Sequence, residues 1–181
     1  MHFVAHSRFT AAAGAACLVV FASVAASAAP RRPPPSAPPA AAANAAALQQ
    51  NIDVASLDHA LLAAAIFHET NRVRADFRLT PFAWLPEIDR AADLQANSTA
   101  LSVTSGHGHL LPSLATPSDR AEYVGLRPRL LGENSALLPI LQFDPAGYIV
   151  REEQGRNVWR HATSEQVVPP HSYRSFAAKI V

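Results

Sequence analysis

The side chains of this sequence best suited to chemistry are two histidines and a glutamate. His107 and His109 stand two residues apart in Gly106-His107-Gly108-His109, and Glu133 lies in Gly132-Glu133-Asn134. Imidazole nitrogens and carboxylate oxygens are ligands that Zn2+ accepts, and two histidines with one glutamate would leave a position open for water. The same groups serve general acid–base chemistry, with the carboxylate as ligand or as base. One histidine with one glutamate makes a weak metal site, because too few ligands offset the desolvation of the ion. A local turn of the glycine-rich loop would have to bring both histidines in. A simpler reading stands beside this one. Both histidines are then solvated loop residues, Glu133 accepts backbone N–H bonds that fix a turn, and Asn134 bonds nearby backbone.

Other motifs are weaker. His68-Glu69 opens the pattern of a zinc-binding His-Glu-x-x-His helix, but residue 72 is Arg72, so the metalloprotease reading fails. His68 then reads as a half-buried helix residue, and Arg72 and Arg74 as partners of acidic groups or of free carbonyls. Trp84 and Trp159 read as core or loop anchors. No nucleophile elbow, P-loop or dinucleotide fingerprint is present. A formal net charge of +1 gives no reason to invoke nucleic acid or an anionic membrane surface.

The elements that must hold these residues are read from periodicity and capping. Ser56 is placed to cap a first helix running to about Ala75, with Leu62, Ile66, Val73 and Phe77 on one face. Arg78 to Pro81 breaks it. Pro86 suits the first position of a second helix, where a missing N–H costs nothing, and Ala91, Leu94, Ser98 and Leu101 form its packing face. Ala91-Ala92 suggests that another element approaches closely there. A polar loop, 102–118, carries the two histidines. Asp119 to Val124 reads as a short helix ended by Gly125. Asn134 to Leu141 is apolar and fits a helix or a strand. Phe143 to Gln166, with turn signals at Asp144-Pro145, Gly147 and Gly155, reads as a hairpin-like insertion. Ser172 caps a final helix, of which Tyr173 to Val181 is present and which looks cut.

The chain's front reads as an address. Arg8 with His2 and His6 makes a weakly basic start, an apolar run spans Ala11 to Ala26, and Ala26-Ser27-Ala28 supplies small residues for cleavage. Residues 1–28 are therefore expected to be a signal peptide. The run falls short of the roughly 20 apolar residues of a comfortable membrane span, so a retained anchor is the lesser alternative. Cys17, the single cysteine, lies inside this run without a lipoprotein context, so the mature chain has no disulfide. Six of the 15 prolines fall between Pro30 and Pro39, followed by alanines, which makes 29–55 a stiff Pro/Ala-rich linker. That leaves one domain, 56–181.

Taken in order, Asn71-Arg72-x-Arg74, Leu79-Thr80-Pro81-Phe82-Ala83-Trp84, the His107–His109 loop, Thr116-Pro117-Ser118-Asp119-Arg120 and Gly132-Glu133-Asn134 resemble the CAP superfamily. This is the secreted domain of cysteine-rich secretory proteins, antigen 5 and pathogenesis-related 1. The similarity covers roughly Leu57 to Val181 and points to the bacterial, disulfide-free type. It implies an α+β fold, a three-layer α-β-α sandwich, with the C-terminal strands missing here. It also implies that a loop histidine and Glu133 face each other across a cleft, with His107, His109 and Glu133 the candidate residues and His107 and Glu133 the candidate Zn ligands. His107 follows a small residue, as the family's histidine does, and His109 lies at a common spacing before Arg120. The family's second histidine has no counterpart, and His171 is a poor substitute.

The function implied is a secreted or periplasmic, non-enzymatic binding module for a lipid, sterol, envelope or host ligand, with no nucleic acid partner and no membrane span once the signal is removed. A metal-dependent hydrolase and a non-functional fragment are the alternatives. Residues 29 to 181 are expected to lack a cooperative fold unless the 143–166 insertion stands in for lost strands.

Overall fold

The computed structural model describes residues 15–23, 44–102 and 106–181, the first of these by backbone alone. The expected cleavage site, most of the proline-rich segment and residues 103–105 lie outside the described residues. The elements are β1 (Ala15–Ser23), α1 (His59–Asp76), α2 (Pro86–Ser102), α3 (Pro117–Tyr123), β2 (Leu130–Leu138), β3 (Tyr148–Glu153), β4 (Arg156–His161) and α4 (Tyr173–Ile180), with short 3-10 turns at Ala47–Gln49 and Pro112–Leu114. The class is α+β, as expected. The two described sheets are small antiparallel pairs, β1 with β2 and β3 with β4.

Helix α1 starts two residues later than Ser56 would place it. Asp58 is the N-cap, its side chain accepting from the Leu61 N–H, and its own N–H is held by the Tyr173 hydroxyl. Leu62 and Ile66 are buried as the periodicity requires, whereas Phe77, past the helix end, is exposed. The chain then turns through Arg78 at φ +55, and Arg74 steadies the turn by donating to the Thr80 carbonyl. Asn71 fixes the extended stretch beyond the turn. Its amide donates to the Phe82 carbonyl while its oxygen accepts the Phe82 N–H at 2.7 Å, acting as one rung of a backbone ladder.

Helix α4, eight residues long, would not persist alone. Ser172 caps it by accepting the Ser175 N–H, and Phe176, Ala177 and Ile180 press into α1. Phe176 has no exposed surface, a burial that contributes about 2–3 kcal/mol. The same core takes Leu48 and Ile52, the two buried residues of an otherwise largely exposed segment 44–55. The Ile52 N–H donates to the His171 carbonyl and the Tyr173 N–H to the Gln50 carbonyl, which splices this segment onto the start of α4. Composition hides this because two buried residues sit among alanines and polar groups.

The 143–166 insertion is a hairpin. Gln154 and Gly155 both have positive φ, the two-residue primed turn that matches strand twist. Phe143, Tyr148 and Trp159 gather on it with ring centroids 4.6–5.4 Å apart, so Trp159 anchors the hairpin rather than the main core. Trp84 meets Phe67 edge-on beside α1. The apolar segment that by sequence fits helix or strand belongs, as far as Leu138, to strand β2. That strand is paired over nine residues with β1, from Ala15↔Leu138 to Ser23↔Leu130.

Candidate functional site

Strand β2 brings Glu133 against the loop that comes after α2, and a hydrogen bond joins the two. His107 Nδ1 lies 2.7 Å from Glu133 Oε1. The carboxylate can only accept, so Nδ1 carries the proton and the lone pair or second proton of the ring sits on Nε2. The His107 side chain is 58% exposed while that of Glu133 is 2% exposed. Among the described residues no partner meets Nε2. The result is a buried carboxylate that orients an imidazole whose far nitrogen faces outward.

Arg120 holds Glu133 from beneath. Its side chain is as buried as the carboxylate, and Nη2 donates to Glu133 Oε2 at 2.5 Å. Nη1 donates to the Leu114 carbonyl at 2.8 Å, and both terminal nitrogens reach the His107 carbonyl at 3.4 Å. One guanidinium therefore ties together the strand, the histidine's own backbone and the loop beyond it. Local sequence explains its place. Thr116 caps α3 in a reciprocal box with Asp119, Pro117 takes the first helical position, and Gly125 ends the helix at φ +87. The first turn thus directs Arg120 and Ala121 inward. The two hydrogen bonds from Thr116, side chain first and backbone second, hold the Asp119 carboxyl below the usual carboxylate range.

His109 is not equivalent to His107. Its Nδ1 accepts the Leu111 N–H at 2.9 Å, which leaves Nε2–H to donate to the Leu94 carbonyl at 3.2 Å. With both ring nitrogens engaged, His109 fastens the loop to α2 and offers nothing to a ligand. Of the pair, it is His107 that meets Glu133.

The geometry does not fit the Zn assignment of His107 and Glu133. Two ligands on one tetrahedral zinc, each about 2.0–2.2 Å from it, stand more than 3 Å apart, whereas Nδ1 and Oε1 are already in direct contact at 2.7 Å. The second carboxylate oxygen is committed to Arg120, whose positive charge also opposes a cation. His109 is occupied elsewhere, and among the described residues no group of three His, Cys, Asp or Glu side chains is placed to hold a metal.

The remaining sequence candidates are structural. His68 lies on α1 with its side chain 43% exposed, the half-buried place expected of it, 3.5 Å from a Glu69 oxygen. Asn134 donates to the Ile180 carbonyl, joining β2 to the end of α4. His171 is buried, lies tilted beside the Phe176 ring and bonds Ser175 Oγ at 3.1 Å. Burial, with the Lys179 charge adding to it, pushes its imidazole below the ordinary value.

Sequence reasoning missed three side chains. Arg120 is visible there only as part of a motif, although an arginine on the inward side of a short helix demands a buried acid. Glu69 is fully buried and receives Arg72 Nε at 2.6 Å and Arg174 Nε at 2.8 Å, linking α1 to α4. Burial pushes its carboxyl up, but hydrogen bonds and charge from both arginines outweigh this, and the net direction is down. Gln95 is buried under the histidine loop, because the buried face of α2 is Ala91, Gln95, Ser98 and Thr99 rather than the expected Ala91, Leu94, Ser98 and Leu101, and Leu101 is exposed.

No protein-family model matches this chain, no curated protein matches it, and no solved structure matches it.

Proposed function

We propose that this chain is an exported CAP-type domain of the bacterial kind, a three-layer α-β-α sandwich that acts as a binding module rather than as an enzyme. The observation that carries this reading is the contact of His107 Nδ1 with Glu133 Oε1, braced by buried Arg120. It joins the loop histidine and the Gly-Glu-Asn glutamate that the resemblance expects to face one another. Both carboxylate oxygens are spent on protein partners, so Glu133 is not free to act as a metal ligand or to activate water. What the site presents outward is a single, oriented imidazole nitrogen able to hydrogen-bond a ligand's polar group. A lipid or sterol headgroup at the cell envelope or outside the cell is the ligand class this reading assigns.

The test uses the full-length chain and phosphatidylcholine vesicles with and without cholesterol. Vesicle co-sedimentation that drops at least ~10-fold in affinity for His107→Ala, with no ester or peptide hydrolysis above buffer, is the expected result. Hydrolytic turnover that disappears in His107→Ala would overturn the binding reading in favour of an enzyme. Binding unaffected by His107→Ala would remove this site from the function.

A further inference from the structure

The histidine loop is held to α2 by a row of polar groups one helical turn apart, and one of them straddles His107. Ser98 Oγ accepts the Leu110 N–H at 2.8 Å, and the Leu94 carbonyl receives His109. Between them, Gln95 Nε2 donates to the Gly106 carbonyl at 3.0 Å and to the Gly108 carbonyl at 2.7 Å. These are the carbonyls on either side of His107. Gln95 is 1% exposed, and its Oε1 is buried with no partner among the described residues. An amide buried at the cost of an unpaired oxygen is retained where its other end does something no apolar side chain can.

We infer that Gln95 is the positioning residue of His107: by clamping the carbonyls before and after it, the amide fixes the loop so that Nδ1 meets Glu133 and Nε2 faces out. The chemistry requires an amide. The two acceptors need two N–H donors on one planar atom, which glutamine supplies and glutamate or methionine does not. The glycines make the clamp possible. Gly106 has φ +146 and a Cβ at Gly108 would meet nothing within 4 Å, so the loop is free to follow the amide rather than dictate its own course. Arg120 meets the His107 carbonyl from the other side at 3.4 Å, which leaves Gln95 as the constraint on the flanking peptides. This inference rests on the reading of His107 as the recognition group, but its test needs no ligand.

The test is long-range 1H–15N correlation of the histidine rings in the full-length protein, wild type against Gln95→Met and Gln95→Asn. The wild type should show His107 locked with its proton on Nδ1, and that proton should exchange slowly. In Gln95→Met, Nδ1–H exchange should accelerate roughly 5- to 30-fold, the factor for one or two ordinary hydrogen bonds lost, and the tautomer mixture of a free imidazole should emerge. His109, held by Leu94 and Leu111, should keep its tautomer. Glu133→Gln should shift the His107 ring signals in wild type and barely move them in the Gln95→Met background. If Gln95→Met does not give a cooperative melt, Gln95→Asn, which keeps an amide but falls a methylene short, should show the same loosening in milder form. A lowered melting temperature with the His107 tautomer unchanged would make Gln95 a packing residue only and overturn the inference. A wild-type His107 already mixed in tautomer would overturn it as well. Failure of vesicle binding, by contrast, would leave the clamp standing.

Discussion

Removing Arg120 should destabilise the protein far more than removing any exposed arginine, and should do so through Glu133. In Arg120→Met the side-chain volume is roughly kept, but a carboxylate that is 2% exposed loses its counter-charge and the Leu114 carbonyl loses its 2.8 Å donor. Breaking one partner out of a buried pair costs about 3–5 kcal/mol, because the remaining charge is left uncompensated. Exposed pairs such as Arg127–Glu122 or Arg151–Glu165 set the contrast. Their loss is worth about 0–1 kcal/mol. Urea unfolding followed by far-UV circular dichroism reads the difference. With a slope of about 2 kcal/mol per molar urea, Arg120→Met should lower the midpoint by about 1.5–2.5 M. The double variant Arg120→Met with Glu133→Leu is decisive. Replacing both members of a buried pair by apolar groups is often close to neutral, so the double should recover most of the midpoint lost in the single. A single variant costing less than about 1 kcal/mol, or a double costing the sum of the two singles, would refute the claim that the two residues form one buried unit.

The same physics gives three further outcomes, and the pairing of β1 gives a fourth. Glu69 has its folded value depressed by Arg72 and Arg174, so its stabilisation is present above the ordinary carboxyl value of 4.5 and is lost as pH falls below it. Glu69→Gln should flatten that part of an acid-unfolding curve and cost about 1–3 kcal/mol at neutral pH. His171 has its folded value lowered instead, so the fold favours the neutral ring. Stability should be complete above the ordinary 6.5 and decline as pH falls below it, a slope that His171→Phe should remove from melting temperatures taken between about pH 7 and 5. Thr116→Ala removes the cap of α3 and should cost about 1 kcal/mol in urea, with the histidine loop loosening because α3 carries Arg120. Finally, residues 29–181, which lack β1, should melt at a lower midpoint than the full chain by circular dichroism. Equal midpoints would show that β1 adds nothing to the fold.

Much of the site is legible in the sequence because its chemistry depends on residue type, while the supports depend on contacts distant in sequence. The turn glycines, the cap at Ser172, the hairpin signals around Gly147 and Gly155, and the pairing roles of Arg72 and Arg74 are local and readable. The choice between His107 and His109 is not. It is decided by Leu94 and Leu111 against Glu133, contacts that span up to 26 residues. Arg120 and Glu69 look like surface charges in sequence, since burial of a charge is visible only once its partner is known. Leu48 and Ile52 read as linker for a related reason. Their neighbours are solvent-compatible, and only the backbone bonds to His171 and from Tyr173 draw the segment into the core.

The strand that pairs with β2 changes how the N-terminal run must be understood. The 143–166 insertion, read from sequence as hairpin-like, forms a two-stranded sheet of its own. The partner of β2 is Ala15–Ser23, the centre of the apolar run read as an export leader. A run of Val, Leu and Phe satisfies both roles because leader and strand each select for apolar residues, and nothing in composition separates them. The two uses exclude each other in a single molecule at a single time. While β1 is paired, the backbone of Leu130–Leu138, including Glu133, has a hydrogen-bonded neighbour. If residues 1–28 leave on export, that edge of β2 opens and the carboxylate's strand depends on Arg120 and on Asn134 at Ile180 to stay in register. The side-chain braces at Glu133 and Asn134 come from α3 and α4, while β1 adds backbone pairing along the same strand.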